Sequence, residues 1–290
     1  MGGSGPMGGT DQLAILEVLG RVGGSIVLRP YVFGFLVVYL TAAAAAWGWR
    51  RAVAFTFWAG GVAFAAEWSS TRVGVPFGLY HYTGATAGRE LYLSNVPFFD
   101  PLSFTFLAYA SLGLAGQFLG VDEGSEPGAP GCSRSAPSAG ARLRLAGLAG
   151  LLMMWLDVVI DPLAVRGDQW FLGRIFYYPE PGWYFGVPTA NFVGWIVVGA
   201  VIAYGWNVLG PRVGGARPAW GVRLPGHGRQ AVGLYYLVLA FNLSVTAAVA
   251  EPALLWTGVL LHVPLAVVVV CSLRPREHTG RVPVRAGEPV

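Results

Sequence analysis

Seven stretches of the chain are apolar for long enough to cross a bilayer as helices, at about 30–49, 52–70, 97–119, 143–163, 187–208, 231–250 and 253–272. A hydrocarbon core about 30 Å thick takes roughly 20 helical residues. Another apolar run, 12–28, is interrupted by Glu17 and Arg21 and reads as an interfacial or partial helix. The pattern predicts an all-α protein: a polytopic membrane helical bundle of about seven transmembrane helices plus that N-terminal helix. Residues 1–10 are Gly-rich, with neither a basic start nor an apolar h-region, and read as a flexible tail rather than a signal peptide. Residues 11–273 then form a single membrane-embedded domain, followed by a C-terminal tail at 274–290.

Composition agrees with lipid as the main solvent, since 54% of the 290 residues are hydrophobic and 12% charged. All 19 basic residues are arginine. They sit in short clusters between apolar runs, not on one basic face, so nucleic acid is not an expected partner. Arg50 and Arg51, then Arg134, Arg142 and Arg144, then Arg212, Arg217, Arg223 and Arg229, and finally Arg274, Arg276, Arg281 and Arg285 all fall on one side of a seven-span map. By the positive-inside rule that side is cytoplasmic, which puts the N-terminus outside and the C-terminus inside a bacterial-type plasma membrane. The linkers 120–142 and 209–230 on that side are Gly/Pro/Arg-rich.

Two cysteines, Cys132 and Cys271, supply neither a disulfide framework nor a thiolate metal site. His81, His227, His262 and His278 show no metal-ligand spacing, so no metal and no cofactor is expected. His262, mid-span, reads as an interhelical hydrogen-bonding residue.

Of the 15 acidic residues, ten lie in tails or loops, Glu90 among them. Glu67, Asp100, Asp157, Asp161 and Glu251 instead sit inside or at the ends of apolar runs, where an acid is costly unless neutral, paired or facing a cavity. On the span map all five fall at the non-cytoplasmic end. Asp157 and Asp161, four apart, share one helix face. Two carboxyls so close in a poorly solvated setting oppose double ionisation, leaving one that keeps its proton near neutral pH. Pro162 is expected to end or kink that helix. Trp155 and the loops 71–96 and 164–186, which are dense in Tyr, Phe and Trp, are expected close by. The plain alternative is hydrated acids at an interface and an aromatic belt.

Two stretches carry a more specific signal. One runs Glu67-Trp68 … Gly74-Val75-Pro76-Phe77-Gly78-Leu79-Tyr80-His81-Tyr82 with Val96-Pro97. The other runs Asp157-Val158-Val159-Ile160-Asp161-Pro162 … Trp170 … Tyr184-Phe185-Gly186-Val187-Pro188-Thr189-Ala190-Asn191-Phe192-Val193-Gly194-Trp195. Together, over roughly residues 60–200, they resemble the membrane-embedded carotenoid biosynthesis family that includes carotenoid 1,2-hydratases of the CruF type, such as bisanhydrobacterioruberin hydratase. The Tyr/Pro-rich stretch Phe171–Pro181 is longer than the family pattern, which bears on the shape of the pocket.

The resemblance implies addition of water across the terminal C=C of an acyclic carotenoid, giving a tertiary alcohol without a cofactor. On that reading Asp157 or Asp161 is the proton donor, while the other and Glu67 orient or deprotonate the water. Tyr80, Tyr82, Trp170 and Tyr184 are candidate aromatics facing the carbocation. Asn191 is a candidate to fix the water or cap a carboxylate, and Asp100 completes the candidate substrate-binding set. Expected partners are the carotenoid, water and the lipid bilayer, with a complex with other carotenoid enzymes as a further option. Three other readings stay open: an end-group cyclase using the same cation, a small proton-coupled transporter, and a structural scaffold.

Overall fold

The computed structural model describes residues 9–120, 138–214 and 227–273. The tails before residue 9 and after residue 273, Cys132, and much of both arginine-rich linkers lie outside the described residues. The helices are α1 (Gly9–Leu28), α2 (Pro30–Trp47), α3 (Trp49–Val73), α4 (Phe99–Leu119), α5 (Ala139–Ala164), α6 (Thr189–Leu209), α7 (His227–Ala248) and α8 (Pro252–Leu273). Four two-residue strands, β1 (His81–Tyr82), β2 (Tyr92–Leu93), β3 (Val96–Pro97) and β4 (Phe176–Tyr177), lie in the connections. The fold is an all-α polytopic bundle.

Six helices, α2 and α4 to α8, are long and apolar enough to cross a membrane. The seventh expected span is α3. Its 25 residues reach roughly 37 Å at 1.5 Å each, but Arg50, Arg51, Glu67 and Arg72 dilute its hydropathy. It packs against α2, α4 and α6, and its polar positions Glu67, Ser70 and Thr71 are buried. The helical boundary also moves at the N-terminus, where Gly9 and Thr10 already belong to α1. That helix ends at Arg29, whose φ of −129° and ψ of 49° break it from α2.

Local chemistry sets the ends. Pro30 opens α2 from its first turn, where its missing N–H costs nothing. Gly74, with φ of 76°, closes α3 in the left-handed region. Ser138 caps α5 by accepting from the Ala141 N–H at 3.2 Å. α4 is the central helix, touching α2, α3, α5, α6, α7 and α8.

α5 and α6 approach backbone to backbone. A Cβ on Gly150 would lie 2.3 Å from the Ile196 carbonyl oxygen, whereas one on Gly147 would meet nothing within 4 Å. Close approach through small residues is how helices gain contact where lipid provides little hydrophobic drive. Gly150→Leu is therefore expected to lower the thermal midpoint in detergent, at a cost of about 1–3 kcal/mol for overpacking. Gly147→Ala is expected to leave the midpoint unchanged.

Antiparallel pairing brings the 74–98 and 165–188 connections to one end of the bundle and zips them together. β1 pairs with β4 across the two connections, while β2 and β3 pair within the first. Thr83 donates its N–H to the Ile175 oxygen at 2.8 Å and its hydroxyl to the Arg174 oxygen at 2.7 Å. Glu90, set aside above as a loop residue, is 0% exposed and bonds Arg29 at 3.1 Å. Arg29 also donates to the Leu172 oxygen at 2.5 Å and lies over the Phe99 ring. One buried arginine thus holds both connections to the start of α2.

Three further residues show their contacts. Pro162 lies in the last turn of α5, which stops at Ala164. Proline removes the hydrogen bond to the carbonyl four residues back, and that carbonyl, on Val158, instead accepts from the Tyr184 hydroxyl at 3.2 Å. Trp155 points away from the acids and donates to the Leu261 oxygen at 3.2 Å. His262 is buried, with Nδ1 2.9 Å from the Gly258 oxygen of its own helix, and it also meets Trp155 of α5, through the Trp155 backbone and a ring contact at 6.4 Å.

Candidate active site

Beneath the zipped connections lies a cavity with about 900 Å³ of empty space, part of it open to the surroundings. Its walls come from α2 to α7, and its roof from Trp170, Leu172, Ile175, Phe176 and Tyr178. Phe35, Phe77, Phe99, Phe104, Phe106, Leu107, Trp195 and Phe241 make most of the interior apolar, and Phe104 and Trp195 stack at 4.4 Å. Glu67, Asp100 and Asp161 project into the same space.

Glu67 comes from the last turns of α3 and Asp100 from the first turn of α4, so the α3–α4 hairpin places them side by side. Tyr82, on β1, joins them. Its hydroxyl lies 2.6 Å from Asp100 Oδ2 and 3.2 Å from Glu67 Oε2, with the Tyr80 hydroxyl 3.4 Å away. Glu67 Oε1 is buried without a partner.

The α5–α6 hairpin builds a second pair. Asp157 and Asp161 stand one turn apart on α5, and Asn191, in the first turn of α6, donates to both. Its Nδ2 lies 2.8 Å from Asp157 Oδ2 and 2.6 Å from Asp161 Oδ2. An amide nitrogen carries two hydrogens, so each carboxyl receives one. Asp161 faces the cavity, while Asp157 sits behind it with Oδ1 buried and unbonded.

Among the described residues the ion pairs are Arg21–Glu17, Arg29–Glu90 and Arg166–Glu251. None reaches these four carboxyls. Glu251 is thereby accounted for by Arg166, apart from the cavity. Ionised carboxylates without a cation are very costly in such surroundings, so the four cannot all be charged at once. Among the described residues no three His, Cys, Asp or Glu side chains are grouped to hold a metal ion.

The structure brings together Glu67, Asp100, Asp157, Asp161, Asn191, Tyr80 and Tyr82, and sets Trp170 in the roof. Tyr184 stands apart on the α5 side, its ring against Phe185 and Phe192. Burial holds the Tyr80, Tyr82 and Tyr178 hydroxyls well above the usual tyrosine range, with the nearby carboxyls adding to the effect. They are therefore neutral donors. Tyr178, Tyr31 and Trp195 also line the cavity; the sequence places none of them among the candidate site residues, although Trp195 closes the second of the two motifs. Tyr178 lies in the long stretch noted above, and its ring meets Tyr80 at 5.9 Å.

A family model described as carotenoid biosynthesis protein matches residues 27–270, which takes in both acid pairs and the whole of the cavity lining. No curated protein and no solved structure matches the chain. The chain belongs to the carotenoid biosynthesis protein family, and its role lies in carotenoid biosynthesis.

Proposed function

We propose that the protein is a carotenoid 1,2-hydratase, adding water across the terminal C=C of an acyclic carotenoid. The observation that carries this reading is the set of four carboxyls without an ion-pair partner, held in two pairs at the edge of an apolar, aromatic cavity. An isolated trisubstituted alkene is a weak base. Its protonation needs a carboxylic acid kept neutral in an apolar site, close to groups that tolerate a carbocation.

Hydrogen counting supports an assignment of roles. The Tyr82 phenol has one hydrogen, so two ionised carboxylates bonded to it cannot both be satisfied; one must bring a proton of its own. The 2.6 Å contact with Asp100 suits an ionised acceptor. The 3.2 Å contact with Glu67, and the lone Oε1, suit the proton carrier. Asn191 gives its two hydrogens to the α5 pair, which favours an ionised Asp161 facing the cavity. This ordering differs from the spacing argument, which put the donor on α5.

In the proposed reaction Glu67 transfers its proton to the less substituted alkene carbon, and the π electrons form the new C–H bond. The positive charge is left on the tertiary carbon, opposite faces such as Tyr80, Tyr178 and Trp170. Water adds to that carbon and gives its proton to Asp161. Alkene plus water becomes tertiary alcohol, and passage of the proton from Asp161 back to Glu67 across the cavity they share restores the starting state. Asp100 and Tyr82 hold Glu67, and Asp157 and Asn191 hold Asp161.

Expression in a bacterial host that accumulates acyclic carotenoids tests the assignment. The expected pigment is heavier by one water per modified end. A pigment of unchanged mass but altered retention would identify a cyclase, and unchanged pigment with every acyclic precursor would sink the enzymatic reading in favour of a transporter.

A further inference from the structure

An acyclic carotenoid is a rod much longer than this cavity is wide, so most of it must lie outside while one end is at the acids. The walls differ in what they permit. The roof is closed by strand pairing and by Arg29. α5 and α6 are tied at the cavity by Asn191, which bonds both Asp157 and Asp161, and farther along they touch backbone to backbone at Gly150 and Gly199. α4 is buried along most of its length.

The α2–α7 wall is made of rings. Tyr31 and Phe35 on α2 and Phe241 on α7 all line the cavity. Tyr31 and Phe241 stack at 5.1 Å with planes 16° apart, and Phe35 meets Phe241 edge-on at 5.5 Å. Behind them, Phe171 touches Tyr31 at 5.7 Å and Trp170 at 4.8 Å and is itself 60% exposed. A single layer of aromatic rings therefore separates cavity from surroundings. Outside it, the exposed positions are mostly apolar, among them Val37, Val38 and Leu237, and the exposed hydroxyls of Thr41 and Ser244 are bonded to carbonyls of their own helices. No charged residue occurs in 30–47 or 231–248.

We propose that Tyr31, Trp170 and Phe241 form a lateral portal between α2 and α7, through which the conjugated chain of the carotenoid passes into the bilayer while its end group sits at the acids. Stacked rings suit this occupant. A polyene is flat and apolar, needs no hydrogen bond, and gains dispersion contact along aromatic faces. Parting two side chains is also cheaper than parting helices whose backbones touch. The proposal rests on the reading that the cavity takes an acyclic carotenoid end.

The test places a fluorophore on the full chain with Cys132 and Cys271 replaced by Ser, and uses the polyene as energy acceptor. Phe171→Cys reports on the portal, Leu237→Cys, exposed one turn before Phe241 on the same face of α7, reports from the same seam should the first variant fail to fold, and Val201→Cys, exposed on α6, is the comparison site. Purified protein in detergent is titrated with lycopene. Quenching is expected to be severalfold stronger at Phe171→Cys or Leu237→Cys than at Val201→Cys. Equal quenching, stronger quenching at Val201→Cys, or no quenching anywhere would overturn the portal. The two readings fail separately: alcohol formed without seam quenching removes only the portal, and seam quenching without alcohol removes only the hydratase.

Discussion

Glu67→Gln is expected to leave an assembled bundle that forms the alcohol about 10²–10⁴-fold more slowly, the usual contribution of a positioned general acid. Glutamine keeps the shape of the side chain and can still donate to the Tyr82 oxygen, so the hydrogen bonds around β1 survive. It has no proton acidic enough for an alkene. Asp161→Asn is expected to fall in the same range, because it removes the acceptor for the proton of water. Asp157→Asn should cost less, since Asp157 stands behind Asp161 and does not face the cavity. The check is the alcohol-to-precursor ratio at matched protein level in membranes. Wild-type conversion by Glu67→Gln would contradict the assignment.

The largest effect on stability is expected at the roof. Arg29 and Glu90 are 1% and 0% exposed in their side chains. Glu90→Gln would leave Arg29 buried without its counter-ion, and breaking a buried pair from one side costs about 3–5 kcal/mol. The loss should exceed that of an ordinary surface pair, because Arg29 also holds the Leu172 carbonyl, and Glu90 accepts from Thr86, which bonds Tyr92 at 2.9 Å. The expected readout is a lowered midpoint of thermal aggregation in detergent. Arg29→Met combined with Glu90→Leu is expected to recover much of the loss, since it removes both charges at once. An unchanged midpoint for Glu90→Gln would show that the pair does not hold the roof.

The bundle was legible in the sequence because lipid imposes a simple requirement: about 20 apolar residues per crossing. α3 is the partial exception: Arg50 and Arg72 are exposed at its two ends, while Glu67, Ser70 and Thr71 are buried. Convergence of acids at one end was legible as well, since alternate spans run in opposite directions, so that the C-terminal turns of α3 and α5, with Glu67, Asp157 and Asp161, meet the N-terminal turn of α4, with Asp100. Partnership was harder to read. Whether a carboxylate is paired depends on contacts across the chain, so Glu251 and Glu90 could not be told from the cavity acids or the loop acids by position alone. The arginines that hold them are 85 and 61 residues away.

The same limit explains Tyr184 and Pro162. Each was read by its own chemistry, as a cation-facing ring and a helix breaker. They answer one another, the tyrosine hydroxyl filling the hydrogen bond that the proline removes. Spacing did single out Asp157 and Asp161, but the order of the pair, one facing the cavity and one behind, depends on how α5 is rotated against α6. Backbone contact at Gly150 sets that rotation.

The most direct test of the central claim is the reaction of purified protein with an acyclic carotenoid in deuterium oxide enriched in heavy oxygen, followed by mass analysis of the product. Acid-catalysed hydration predicts one heavy oxygen and one carbon-bound deuterium for each modified end. A product with deuterium but no added oxygen would mean that an internal alkene quenches the cation. Oxygen without carbon-bound deuterium would contradict protonation of the alkene altogether.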